Sequence, residues 1–265
     1  MNPALRTELA HRAAWAIGYA RLGWPILPTH GIGQDGTCTC GNRTCDRPGK
    51  HPARANYKAM ATTDAATLRS YWALVLFNLS LRIPAGLVVL DVDDPAALRP
   101  LARFGAWPIT PTHTTTRGLR MFFAWPGADA APSLGGLDRT KLDVLGTDDL
   151  CIVPPSTSAT GHRYTWRAGE DPWTCPLAPV PEAFAEHCRR MAAARARART
   201  HTSNGPADTL EGAVALARRR ARYAGFTSNG AGRGAAGLRR ALTEAGAAPA
   251  VIAAALDTFH AEAGR

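Results

Sequence analysis

The 265-residue chain has no run of 18 apolar residues, because its most hydrophobic stretch, Tyr71 to Leu90, is broken by Asn78, Arg82 and Pro84. No segment is therefore expected to span a bilayer, and no membrane partner is expected. The opening MNPALRTELAHRAAWAIGYARLGWPILP lacks the charged region and uninterrupted apolar region of a secretory leader, which makes the cytoplasm the expected compartment. Acids are scarce: 21 Asp and Glu stand against 31 Lys and Arg, for a net charge of +10. Clustered bases gain affinity by displacing counterions from phosphates, so nucleic acid is the expected partner ahead of an acidic membrane. There are six cysteines, and three fall within eight residues, which suits a metal site in a reducing compartment better than a disulfide framework. What the chain has is 46% hydrophobic residues, enough for a substantial core.

Along the chain, residues 4 to 22 repeat apolar side chains at helical spacing up to Gly23, and WPILP reads as a short strand. Residues 31 to 56 are rich in Gly, Cys, Asn and Pro without apolar periodicity, so something other than a core must order them. TTDAATLRSYWA is a capped helix. From Gly86 the pattern becomes short strands: GLVVLDV, THTTT, RMFFAW, KLDVLG, DLCIVPP and HRYTWR. One helix interrupts them, DDPAALRPLARFG, with Asp94 as cap and Gly105 as stop. The fold class is α+β, one β-α unit followed by an antiparallel meander. Residues 1–190 form the main domain, 191–206 a basic flexible linker, and 207–265 a helical region, either a small helical domain or a helix-turn-helix.

In a strand Asp91 and Asp93 point to one face, and two carboxylates so placed can share divalent cations. Mg²⁺ or Mn²⁺ suits them, as hard ions that bind oxygen ligands and substrate phosphates. The bland alternative is a strand that ends in a solvated Asp-Asp-Pro helix cap. Asp143 lies in a second apolar run, KLDVLG, where a buried acid needs a cation, a hydrogen-bond donor or solvent. Three acids in a basic chain point to metal-assisted phosphoryl chemistry, with the acids as ligands. In the loop of residues 36–52, CTCGNRTCDRPGKHP supplies Cys38, Cys40, Cys45 and His51, a set that suits a structural Zn²⁺.

The ordered series GWPILP, GKHPA, ATTD, YW, GLVVLDVD, PITPTHTTTRGLRMFFAWP, LDVLG, CIVPPS and TGHRYTW, from about residue 12 to residue 168, resembles the bifunctional primase-polymerase (Prim-Pol) domain of plasmid and phage replication proteins, in the archaeo-eukaryotic primase superfamily. The resemblance implies an RRM-like antiparallel sheet joined to an N-terminal α/β unit, with the active site between them. It implies that Asp91, Asp93 and Asp143 hold the catalytic ions, and that Lys50 and Ser156 contact nucleotide or template. It further implies a zinc knuckle beside Lys50. One position departs: the family's phosphate-contacting histidine, in a Gly-Gly-x-His element, is Arg120 here. Arginine also binds phosphate, and it never loses its charge. His113 reads as an exposed strand residue.

The implied activity is template-directed nucleotidyl transfer, by a DNA primase and polymerase acting on single-stranded DNA template and (d)NTPs. No Gly-x-x-x-x-Gly-Lys-Ser/Thr phosphate loop occurs, so a separate helicase or replication initiator is the expected partner. Two rival readings remain, an inactive single-stranded DNA-binding accessory protein and a metal-dependent nuclease. HCRRMAAARARAR and LARRRARYAGF read either as solvated basic faces or as phosphate contacts. Trp72, Trp107, Phe122, Phe123 and Trp166 read as core. So does Cys151, while Cys175 and Cys188 carry no functional argument.

Overall fold

The computed structural model describes residues 2–203 and 246–263 and, between them, 210, 213, 214, 235, 237–240, 242 and 243. The chain divides into two compact units, Met1–Ala192 and Ala193–Arg265. In order, the elements are α1 (Pro3–Arg21), β1 (Ile26–Thr29), α2 (Tyr57–Met60), α3 (Ala65–Tyr71), β2 (Asn78–Arg82), β3 (Leu87–Val92), β4 (Thr112–Thr114), β5 (Leu119–Ala124), β6 (Leu142–Leu145), β7 (Leu150–Val153), β8 (Ala178–Pro179), α4 (Glu182–Ser203) and α5 (Pro249–Ala263). Their sequence explains their ends. The Asn2 side chain accepts the Ala4 N–H to start α1, and the Asp64 side chain accepts the Thr67 N–H to start α3.

The first unit holds two antiparallel sheets. The smaller has the order β1-β2-β7, and the larger β4-β5-β3-β6, with β8 added parallel to β5. The central strand β3 is buried on both faces. Its Leu87 and Val89 join Phe122 in a core with Leu79, Leu81, Cys151 and Val153 of the smaller sheet and Tyr19 of α1. Its Val88, Leu90 and Val92 face the other way, onto Leu101, Phe123, Val144 and the α4 residues Phe184 and Cys188. Alternation puts Asp91 on the Leu87–Val89 face, one step beyond the apolar residues.

Four expectations change. HRYTWR forms no strand, only isolated bridges from Arg163 to Thr157 and from Trp166 to His113. Residues 95–104 form a 3-10 helix with Pro100 inside it; proline has no N–H for the α ladder. The stretch expected as a linker is helical through Ser203, in keeping with its Ala and Arg content. Strand β2, interrupted by polar residues and not anticipated, is the centre of the smaller sheet.

In the second unit, Ile252, Ala255, Leu256 and Phe259 of α5 are buried with Ala213, Leu238 and Leu242 in a separate cluster. The first part of the helical region expected over 207–265, including the basic run LARRRARYAGF, lies largely outside the described residues. Among the described residues no helix is long and apolar enough to cross a membrane.

Candidate active site

The strand register sets a polar row across the larger sheet. Asp91 of β3 is paired with Arg120 of β5 on one side and Asp143 of β6 on the other, and Arg120 is paired with His113 of β4. Directly paired residues share a face, so His113, Arg120, Asp91 and Asp143 form one line. Two carboxylates directly opposite each other repel and call for a cation or a donor. Arg120 supplies one: its Nη2 is 2.7 Å from Asp91 Oδ2, while its Nη1 donates to the Ile152 carbonyl of β7 at 3.0 Å. Arg120 thereby ties the two sheets together. Burial works against its charge, but the neighbouring Cys151 and Asp91 side chains more than offset this and raise its pKa. Asp91 Oδ1 is buried without a partner. Asp143 Oδ1 accepts the Gly136 N–H at 2.6 Å.

Asp93 lies just past the end of β3, where Arg117 meets it with Nη2 at 2.7 Å from Oδ2. The turn that carries Arg117 crosses the end of β3 so closely that a Cβ on Gly118 would lie 1.9 Å from the Val92 carbonyl oxygen. Only glycine permits that approach. Beside this turn opens a cleft of about 310 Å³ lined by Lys50, Asp93, Arg117, Arg120, Thr160 and Tyr164, among others. Asp91 and Asp143 lie one and two strands beyond Arg120. Three bases and a carboxylate at one mouth can bind a polyanion together with its counter-cation. The orphaned Asp91 oxygen is a hard anionic ligand of the kind that divalent ions take, but among the described residues the three acids do not close around a single point in the way the cysteine cluster does.

Lys50 lines the cleft, but Ser156 does not. It is fully buried, and its hydroxyl accepts the Leu79 N–H at 2.9 Å, which fastens the end of β7 to β2. Ser158 lines the cleft instead. His113 is also corrected: it is fully buried against Phe122, Tyr164 and Trp166. Burial, with the Arg120 cation beside it, pushes its pKa down to about 3. The unfolded chain therefore takes up a proton that the folded chain refuses between about pH 6.5 and 3. Stability from this residue is complete above that window and falls as pH drops, by about 1.4 kcal/mol per pH unit. Denaturant unfolding at pH 5.5, 5.0 and 4.5 is expected to show this slope, and His113→Gln to remove that share of it.

Asn78 organises the cleft and was not legible from the sequence. Its Nδ2 donates to the Gly49 and Thr157 carbonyls at 2.9 and 2.8 Å. Its Oδ1 accepts from Arg12 Nη1 at 2.8 Å and from the Thr157 N–H at 3.0 Å. It thus holds the residue before Lys50 and the residue before Ser158 on one side chain. Asn78→Ala strands these groups in a buried site, and a loss of about 3 kcal/mol is expected in chemical denaturation. Arg117 and Tyr164 were equally unforeseen. A base in a tight turn, facing a strand that ends in acids, is a signal that would have found Arg117.

The cysteine loop closes on itself. The Ile32–Cys38 and Thr29–Pro52 bridges pin it at its base. The ligand atoms of Cys38, Cys40, Cys45 and His51 all lie within 4.8 Å of one another, so these residues could hold a metal ion. His51 Nε2 is 3.5 Å from Cys38 Sγ and 3.4 Å from Cys45 Sγ. Burial opposes ionisation of Cys38, but hydrogen bonds from the Gly49 and Cys40 backbone and from the Cys40 and His51 side chains bring its thiol down to about 7.

Comparison with curated proteins and with solved structures gives no match. The family model described as "Bifunctional DNA primase/polymerase, N-terminal" matches residues 16–183, which takes in the cysteine loop, the row of strands and the cleft. With well over half of its 265 residues matched, the chain belongs to the Prim-Pol (bifunctional DNA primase/polymerase, N-terminal) family.

Proposed function

We propose that this chain is a template-directed nucleotidyltransferase that starts or extends strands in plasmid or phage DNA replication. One observation carries the reading: the strand register puts Asp143 directly opposite Asp91, on the face whose Arg120 borders a cleft with Lys50 and Arg117. Asp91, Asp93 and Asp143 would hold Mg²⁺ or Mn²⁺, which in such sites stabilises the attacking and leaving oxygens of phosphoryl transfer. Lys50, Arg117 and Arg120 neutralise and orient the triphosphate. Cys38, Cys40, Cys45 and His51 hold a structural zinc, since tetrahedral zinc keeps sulfur and nitrogen ligands about 3.5 Å apart. That spacing matches the 3.5 and 3.4 Å found. The zinc would order the loop that ends in Lys50. The protein would act in the cytoplasm beside a separate helicase or initiator.

A second reading, a single-stranded DNA-binding accessory protein without catalysis, is favoured by the Arg120 guanidinium already seated on Asp91. The deciding assay incubates the purified protein with labelled single-stranded template, NTPs and dNTPs, and Mg²⁺ or Mn²⁺. Longer products support nucleotidyl transfer. Bound but unchanged DNA supports the accessory reading, and shortened DNA would replace both with a nuclease.

A further inference from the structure

A second groove, of about 610 Å³, lies on the same unit and shares Tyr164 with the cleft. Trp15, Trp166, Trp173 and Pro155 line it, with Arg163 and Arg167 beside them. Trp173 is its distinctive feature. Its indole ring lies against α1, where a Cβ on Gly18 would come within 3.1 Å of the ring. Trp15 meets it edge-on at 5.2 Å, and Tyr19 lies 5.2 Å away. The loop that presents it is held by the Asp171 carboxylate, which accepts the Trp173 and Thr174 N–H groups at 3.0 and 3.1 Å. Yet 43% of this anchored residue is exposed. A large aromatic fixed on one face and open on the other is a preorganised stacking surface.

The charge beside it is positive where it meets solvent. Arg163 pairs with Glu8, and Arg167 with Glu170 at 3.3 Å. The arginine side chains are 48% and 53% exposed, their acid partners 27% and 17%. The third acid, Asp171, is occupied by its own loop. An apolar aromatic floor with outward guanidinium groups is the chemistry that holds unpaired bases by stacking and their phosphates by charge.

We propose that this groove is the track of the single-stranded DNA template, with bases stacked on Trp173 and phosphates held by Arg163 and Arg167, leading past Tyr164 into the cleft. The proposal rests on the nucleotidyltransferase reading and adds a location for the template. Fluorescein-labelled dT12 is the probe, with anisotropy and intrinsic tryptophan fluorescence as readouts on the full chain. Trp173→Ala is expected to weaken dT12 binding by about tenfold. Trp173→Phe keeps an aromatic face, and is expected to stay within about threefold of the original affinity while losing part of the tryptophan quenching caused by dT12. Arg167→Gln is expected to lower the salt dependence of log Kd by about one unit of slope.

Unchanged dT12 affinity in folded Trp173→Ala, or undiminished quenching in Trp173→Phe, overturns the proposal and leaves the groove to an apolar partner. Should Trp173→Ala not fold, the quenching of Trp173→Phe decides alone. Nucleotide addition that persists with unchanged template affinity in these variants removes the groove but keeps the enzyme. Groove-dependent dT12 binding without nucleotide addition does the reverse.

Discussion

Asp143→Asn is expected to reduce template-directed nucleotide addition by at least about a hundredfold while the protein remains folded. Asp143 is exposed on the edge strand β6 and accepts the backbone N–H of Gly136. Asparagine keeps that acceptor through its own carbonyl oxygen. It also removes a like charge opposite Asp91, so thermal stability in metal-free buffer should hold or rise slightly. What it cannot supply is a second anionic ligand. Stabilisation of transferring phosphoryl oxygens by a bound metal amounts to several kcal/mol, and each 1.4 kcal/mol is tenfold in rate.

Asp91→Asn is a poorer test, because it leaves Arg120 partly buried with no counter-charge. Breaking a buried pair on one side costs about 3–5 kcal/mol, so lost activity there would mix chemistry with unfolding. Primer extension by folded Asp143→Asn at the unaltered rate would remove this residue from the metal site and with it the proposed mechanism.

The second large effect concerns the cysteine loop. Protein purified under reducing conditions is expected to carry one zinc per chain by elemental analysis, and Cys45→Ser to carry none. Residues 31–56 have few apolar side chains, so the free energy of metal binding would be what orders them. Without zinc the loop should become sensitive to protease, while the sheets, whose cores are independent of it, stay protected. Lys50 directly precedes His51 and lines the cleft, so release of the loop would also remove a cation from the proposed triphosphate site. Charged hydrogen bonds of this kind contribute about 1.5–3 kcal/mol, which predicts nucleotide affinity weaker by about tenfold or more. A metal-free protein with full affinity and an intact, protected loop would refute both the zinc and its purpose. Arg120→His is informative beside these variants, since it removes the guanidinium that occupies Asp91.

Some of this was written in local patterns. Alternation in GLVVLDV determined that Asp91 stands on the face of Leu87 and Val89 and that Val92 does not. The cap at Asp94, the crowding of Cys38, Cys40, Cys45 and His51, and the ordered short matches of the family were equally readable, because each depends on residues close together in the chain. Local signals failed where a neighbour distant in sequence decided the outcome. His113, flanked by threonines, reads as exposed, yet it is buried because Phe122 and Trp166 cover it. Ser156 reads as a site residue, but its hydroxyl serves the backbone of Leu79, 77 positions away.

The sequence by itself therefore determined which residue types could do chemistry, on which face of each strand they stand, and to which family they belong. Tertiary structure alone decided that Asp143 pairs with Asp91, that Arg120 and Arg117 reach the acids before any substrate does, and that Asn78 binds two loops around one cleft. Strand register and buried hydrogen-bond networks are contacts between segments far apart in the chain. They form only when the whole core closes, so no window of sequence contains them.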